Sequence, residues 1–127
     1  MEQPFDLQII CSTPGDVARA TRGGATRIEV AGCYTAGGVT PSPGIIRHCI
    51  EATDLPVTVS LRPREGHLVY TASERDIILH DAEWSLAQGA RTVLIGGLDG
   101  RLNLDLDLIE TAIKQFGGEH IMVSRAI

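Results

Sequence analysis

The segment Val57-Thr-Val-Ser-Leu-Arg-Pro-Arg64 alternates apolar and polar side chains and ends on two arginines. Thr58, Ser60 and Arg62 fall on one face of a strand, because successive side chains point to opposite faces. Strands of an open doubly wound sheet are covered by helices on both faces and are apolar nearly throughout. A polar row that rises to a charge is instead typical of a (βα) barrel interior near its mouth.

The same strand-then-helix pattern extends outward from this segment in both directions. Predicted strands cover residues 7–11, 27–30, 57–61, 92–95 and 120–124, and four helices lie between them. The clearest helix start is the capping box Thr71-x-x-Glu74. Such alternation indicates a parallel sheet. We therefore predict an α/β fold made of parallel (βα) units of TIM-barrel type, with an open doubly wound sheet as the alternative.

The predicted array is too short for a complete barrel. The 127 residues make one domain, 1–127, whereas a full barrel takes about 250 residues. The first and fifth strands would be open edges, and the inner face around Ile9, Val59 and Leu94 would be partly uncovered. We therefore expect a fragment or a half-barrel that pairs with a partner, most simply as a homo-oligomer.

The composition narrows the classes of partner. A net charge of -5 with scattered basic residues argues against nucleic acid. No apolar run reaches the roughly 20 residues of a membrane span, and the first residues do not resemble a signal peptide. These features predict a cytoplasmic protein, and the charged residues at the predicted strand ends indicate that its partner is a small molecule or a metal ion.

The predicted strand ends carry the candidate site residues. In Arg27-Ile-Glu-Val-Ala-Gly, Glu29 stands late in an apolar strand before a glycine-rich turn. We interpret Glu29 as an acid/base group or as the partner of an arginine, either Arg62 or Arg125. Glu29 and Arg62 are the candidate catalytic residues. Arg64 and Arg125 are candidate substrate-binding residues, because guanidinium groups suit carboxylate or phosphate.

Two cysteines are candidate metal ligands. Cys11 ends the first predicted strand and Cys33 lies on the loop after the second. Thiolates suit Cu(I), so a copper site would use Cys11 and Cys33. The alternative is that Cys11 is a small buried core residue, as most free cysteines are. There is no CxxC or HxH spacing to support a tight site.

Several of these motifs together resemble the CutC family of copper homeostasis proteins. The matching segments, in family order and spacing, are Gly24-Ala-x-Arg-Ile-Glu29, Gly37-Gly-Val-Thr-Pro-Ser42, Arg62-Pro-Arg64, Tyr70 and Ser124-Arg-Ala126. The resemblance covers nearly all of this chain and the first half of a family barrel. It implies a TIM-barrel fold and a role in copper handling.

The chain departs from the family pattern at four polar positions. Gln8 stands where the family has Glu, Ala31 where it has Cys, and Ser124 where it has His, and Glu65-Gly66-His67 replaces a Gly-Gly-Asp segment. The leading hypothesis is therefore a CutC-like protein of copper homeostasis with weak or absent Cu(I) binding. Two alternatives remain: a TIM-barrel enzyme or relic that binds a small anion through its Arg/Glu site, and a non-catalytic half-barrel that acts through assembly.

Overall fold

The computed structural model describes residues 4–124 and alternates strands with helices. The strands are β1 Gln8–Cys11, β2 Arg27–Val30, β3 Val57–Leu61, β4 Thr92–Ile95 and β5 Ile121–Val123. The helices are α1 Pro14–Arg22, α2 Pro43–Glu51, α3 Ala72–Ala87 and α4 Leu106–Phe116. All the predicted elements are confirmed. Compared with the prediction, β1 begins one residue later, and β5 is shorter by one residue at each end.

Each helix begins at a side chain that caps its first turn. Thr13 Oγ1 accepts a hydrogen bond from the Asp16 amide at 3.1 Å, ahead of Pro14 in the first turn of α1. At α3 the predicted capping box is present, with Thr71 and Glu74 bonding to each other's backbone amides. These local bonds satisfy amides that a helix start leaves without partners. Within residues 4–124, no helix is both long enough and apolar enough to cross a membrane.

The five strands form one parallel sheet in the order β1-β2-β3-β4-β5. Each strand pairs with the next one along the chain, with Ile10 opposite Glu29 and Thr58 opposite Thr92. This sequential order is that of a barrel wall and differs from the order 2-1-3-4-5 of a doubly wound sheet. The sheet does not close on itself within the described residues, so the alternative of a doubly wound fold is wrong and the incomplete array is confirmed.

The two faces of the sheet have different environments. The outer face carries Ile28, Val30, Val57, Val59 and Val93, which join the helices in one buried core. The inner face carries the polar row predicted from β3, and Ser60 and Arg62 border a cavity there. The expectation that Ile9 and Val59 lie on the inner face is wrong. Both alternate with the polar row and pack in the core, whereas Leu94 does face inward.

Candidate functional site

A cavity of about 480 Å³ lies on the inner face, at the carboxyl ends of the strands. All five strands contribute to its lining, and the side chains that matter below are Gln8, Glu29, Ser60, Arg62 and Tyr70. We call it the mouth cavity. Its volume is within the usual range for small-molecule sites, about 300–1,000 Å³, and its position is where (βα) proteins build their sites.

Arg62 holds two loops together at the rim of the mouth cavity. Its Nη1 donates to the carbonyl oxygens of Ala36 at 2.9 Å and Gly38 at 3.3 Å, and its Nη2 donates to that of Gly66 at 2.8 Å. The Arg62 amide also donates to Thr40 Oγ1 at 2.8 Å. Its described partners are therefore neutral, and its positive charge stands at the rim.

The loop after β2 is shaped so that Arg62 can reach it. Gly37 and Gly38 have φ values of +86° and +89°, a region that side chains disfavour. A Cβ on Gly37 would also lie 3.0 Å from Nη1 of Arg62. The glycine pair noted in the sequence thus gives the loop the backbone path that brings its carbonyls to the guanidinium.

Glu29 lies on the inner face of β2 and is half-buried. Its Oε2 accepts a hydrogen bond from Nε2 of Gln8 on the neighbouring strand, at 3.1 Å. The described contacts of Arg62 are to loop carbonyls and not to this carboxylate. Glu29 and Arg62 therefore share one cavity without forming the ion pair considered from the sequence. Arg125, the other expected partner, lies outside the described residues.

Tyr70 is a lining residue that sequence reasoning did not assign to the site. It is buried, and desolvation raises the pKa of its hydroxyl, while the nearby charges of Arg62 and Arg64 act in the opposite direction. The hydroxyl is therefore protonated at neutral pH and is a hydrogen-bond donor. The sequence did hold a sign of this position, because Tyr70 comes immediately before Thr71, the cap of α3. In a (βα) array the loop between a strand end and the next helix start lies at the mouth.

Arg64 is bound by its own loop and does not line the mouth cavity. Its Nε and Nη2 donate to the two carboxylate oxygens of Glu74 at 2.5 and 3.1 Å, and Nη1 donates to the His67 carbonyl at 2.6 Å. The guanidinium also lies 5.4 Å from the centre of the Tyr70 ring. These bonds lower the pKa of Glu74 and raise that of Arg64. The predicted contact of Arg64 with a substrate stays a prediction.

The two candidate copper ligands occupy different environments. Cys11 is buried on the outer, helix-facing side of β1, and burial followed by the charge of Asp16 raises the pKa of its thiol. Cys33 is exposed on the loop after β2, with a φ of +41°. Metal ligation needs the thiolate form, which a raised pKa disfavours. Cys49 shares the buried environment of Cys11, and desolvation raises its pKa to about 11.

The described residues do not form a cluster of metal-binding side chains. Among residues 4–124, no three His, Cys, Asp or Glu side chains lie close enough together to hold a metal. The structure gives Cys11 the position of a core residue, which was the alternative interpretation from the sequence. The assignment of copper to Cys11 and Cys33 stays a prediction with no geometric support in this part of the chain.

The sequential parallel sheet, the one-sided layer of helices and a polar cavity at the strand ends define a protein of TIM-barrel type. The model of the CutC family matches residues 5–127, and the chain belongs to this family. A CutC family protein from Agrobacterium fabrum is 35% identical over 125 residues, which cover 98% of this chain and 49% of the relative. One from Pasteurella multocida is 33% identical over 107 residues, or 84% of this chain and 44% of the relative.

Solved structures agree on the fold. The crystal structure of a putative copper homeostasis protein CutC from Streptococcus agalactiae has a TM-score of 0.85 at 24% identity, covering 96% of this chain and 60% of that one. A putative phosphonomutase from Burkholderia cenocepacia has a TM-score of 0.60 at 19% identity, covering 93% and 53%. This chain thus spans about half the length of the curated relatives it matches.

Proposed function

We propose that this chain is a cytoplasmic protein of copper homeostasis whose working site binds a small anionic molecule at the mouth cavity. The observation that carries this proposal is the guanidinium of Arg62, which stands at the rim with carbonyl oxygens as its described partners. Because these described partners are neutral, the guanidinium keeps a positive charge that can attract an anion.

The rest of the cavity supports a ligand that is polar at both ends. The Tyr70 hydroxyl is a donor close to Arg62, and the Ser60 side chain lines the same wall. Glu29 and Gln8 lie on the neighbouring strands and favour a hydroxyl or amine on the ligand. Glu29 is also the group that would accept or release a proton, should the ligand be transformed there.

The test is ligand-induced stabilisation with defined anions. Inorganic phosphate, citrate and phosphonoacetate would be added to the wild type and to Arg62→Met, and the thermal midpoint recorded. A ligand at 100 times its Kd stabilises by about 2.7 kcal/mol. We expect at least one anion to raise the wild-type midpoint and to have little effect on Arg62→Met.

The matched control is Arg47→Met, which removes one arginine from the exposed face of α2, where it pairs with Glu51. This variant should respond to anions like the wild type. Equal responses from all three proteins would mean that the anions act through general charge, and the proposal for the mouth cavity would fail.

Copper binding is the second candidate, and the name of the Streptococcus agalactiae protein, a putative copper homeostasis protein, favours it. It would require thiolates from Cys11 and Cys33. A chelating Cu(I) probe should win the competition against this protein, because the buried thiol of Cys11 resists ionisation. Stoichiometric tight binding that is lost in Cys11→Ser would overturn that expectation and place copper at these cysteines.

Assembly is the third candidate, and the uncovered inner face favours it. Ile10 on β1 and Val123 on β5 are 45% and 43% exposed on the two outermost strands of the sheet. Such edges are templates for pairing with another chain. We propose that two or more copies associate, so that stability depends on concentration. A single monomeric species in analytical ultracentrifugation at micromolar concentrations, with concentration-independent unfolding, would contradict this proposal.

A further inference from the structure

The outer layer of helices is interrupted between α2 and α3. Helix α1 packs against α2 and α3 packs against α4, whereas α2 and α3 approach each other little. Helix α2 has 9 residues and α3 has 16, so their lengths are about 14 and 24 Å. Part of α3 therefore lacks a helical neighbour on this side. The space between α2 and α3 is a cavity of about 780 Å³ on the outside of the array. We call it the α2–α3 groove.

Apolar side chains form one part of the lining of the α2–α3 groove. Pro41, Pro43 and Pro63 line it near the start of α2, and Ile77 and Trp84 line it from α3. Ile77 is 47% exposed although it is a large aliphatic residue. Ile77 and Trp84 are seven residues apart and fall on one face of α3, while Ile78 and Ala82 face the core. Helix α3 thus presents a second apolar stripe to the groove, in which Ile77 is exposed and Trp84 is partly buried against the core.

The charged groups of the groove are of one sign. Asp81 and Glu83 line it, and neither lysine nor arginine does; His80 is the remaining titratable group. The side chain of Asp81 makes no hydrogen bond or salt bridge with other residues of the 4–124 range, and His80 is the charged group that acts on it. Desolvation raises the pKa of its carboxyl, with an opposite effect from His80. A half-buried carboxylate that accepts no hydrogen bond attracts a cation that also fits an apolar wall.

The floor of the groove contains a second polar group without a hydrogen bond. Ser85 is fully buried, and its hydroxyl makes no hydrogen bond in the described part of the chain. Buried polar groups in native proteins nearly always have partners. Ser85 follows Trp84 directly, one helical turn beyond Asp81, so both groups belong to the same stretch of α3.

We propose that the α2–α3 groove is a binding site for a small amphipathic amine, separate from the mouth cavity. The ammonium group pairs with Asp81, and an aromatic or aliphatic body lies between Trp84 and the prolines. The ring of Trp84 also attracts the cation through its π face. The two acidic side chains discriminate against anionic ligands of the same shape.

Trp84 makes this proposal directly testable, because it is the single tryptophan of the chain. Its fluorescence would be recorded while 2-phenylethylamine, 2-phenylethanol or 3-phenylpropionate is added at neutral pH. These probes share the aromatic body and carry a positive, neutral or negative end. We expect the amine to shift the emission of Trp84 and to bind most tightly, and the carboxylate to bind least.

Asp81→Asn should weaken amine binding by about tenfold, the size expected for the loss of one partly desolvated ion pair. It should leave the binding of the alcohol unchanged. The matched control is Glu110→Gln, which removes one negative charge from the exposed face of α4 and should bind the amine like the wild type. Trp84 emission in urea confirms beforehand that each variant is folded.

Three results would overturn the proposal. The first is no emission change up to millimolar amine. The second is equal affinity for the amine and the alcohol, which would reduce the groove to a nonspecific apolar surface. The third is a Trp84 emission that depends on protein concentration without any probe, together with association in ultracentrifugation, since a second copy would then cover the groove.

Discussion

The inner face of the sheet contains a buried pair of hydroxyl groups that offers a sharp test of the fold. Thr58 Oγ1 and Thr92 Oγ1 lie 2.5 Å apart, opposite each other on β3 and β4. The two residues are 1% and 7% exposed. Valine has nearly the same shape as threonine but lacks the hydroxyl. Thr58→Val therefore leaves the hydroxyl of Thr92 buried without this partner, at a cost of about 1–3 kcal/mol, and Thr92→Val does the same to Thr58.

The double variant removes both hydroxyls and so leaves neither without a partner. A typical hydrogen bond contributes a net 0.5–1.5 kcal/mol, so we expect the double variant to lie within about 1 kcal/mol of the wild type. The free energy of unfolding would be measured in urea by circular dichroism at one fixed protein concentration. Because the two single losses together come to at least about 2 kcal/mol, the coupling energy of the cycle should be at least about 1 kcal/mol.

The same cycle on Thr21 and Thr53 provides the control. Their hydroxyl oxygens are 2.9 Å apart but only partly buried, so water can replace a lost partner and the coupling should be smaller. If the losses in Thr58→Val and Thr92→Val simply add, the two hydroxyls do not face each other. The register of β3 against β4, and with it the inward direction of the polar row, would then be wrong.

Three further changes test the rim and the helices. Arg62→Met removes three hydrogen bonds to loop carbonyls. It should lower the free energy of unfolding, measured by urea titration, by about 1–3 kcal/mol. An unchanged urea midpoint would show that the loops do not need this side chain. The hydrogen bond from Arg64 lowers the pKa of Glu74 from 4.5, so the stabilisation that this bond gives the folded state is present above pH 4.5 and is lost as pH falls through the folded-state pKa. Glu74→Gln should therefore reduce the loss of unfolding free energy on the acid side. A free energy of unfolding that changes with pH in the variant as it does in the wild type would contradict the pairing. The pKa of Asp81 is raised from 3.8 by desolvation, so its protonated form favours folding below 3.8 and this contribution is lost as pH rises through the folded-state pKa. Asp81→Asn should be more stable than the wild type at neutral pH and equal to it below 3.8, and the opposite trend in chemical denaturation would refute the desolvation argument.

Much of the fold could be predicted from the sequence because its signals are local. The alternation Thr58-Val59-Ser60 sets which side of β3 faces inward, and the Thr71 capping box fixes the start of α3. The face of Cys11 could not be read in the same way, because β1 has no polar row to define its inner side. Its position follows from the register, in which Cys11 lies opposite the buried Val30.

The partners of the arginines could not be predicted, because they depend on loop conformation. Arg62 bonds to carbonyls that the positive φ values of Gly37 and Gly38 bring within reach. Arg64 meets Glu74 ten residues later, across a loop. Sequence spacing gives no distance between such groups, so the Glu29–Arg62 pair was a reasonable hypothesis that the loop geometry does not realise.

The sequential strand order also bears on how this chain acquires its structure. Residues that bond across neighbouring strands are close in sequence: the hydrogen-bonded Gln8 and Glu29 are 21 residues apart, and Thr58 and Thr92 are 34 apart. Each strand can pair as soon as the next βα unit has left the ribosome, without waiting for a distant segment. The loop that each such pairing closes is shorter than one between strands far apart in sequence, so the entropy lost on closure is smaller. The order β1 to β5 is therefore also the order in which these strands emerge during synthesis, and each strand has its pairing partner in the next unit.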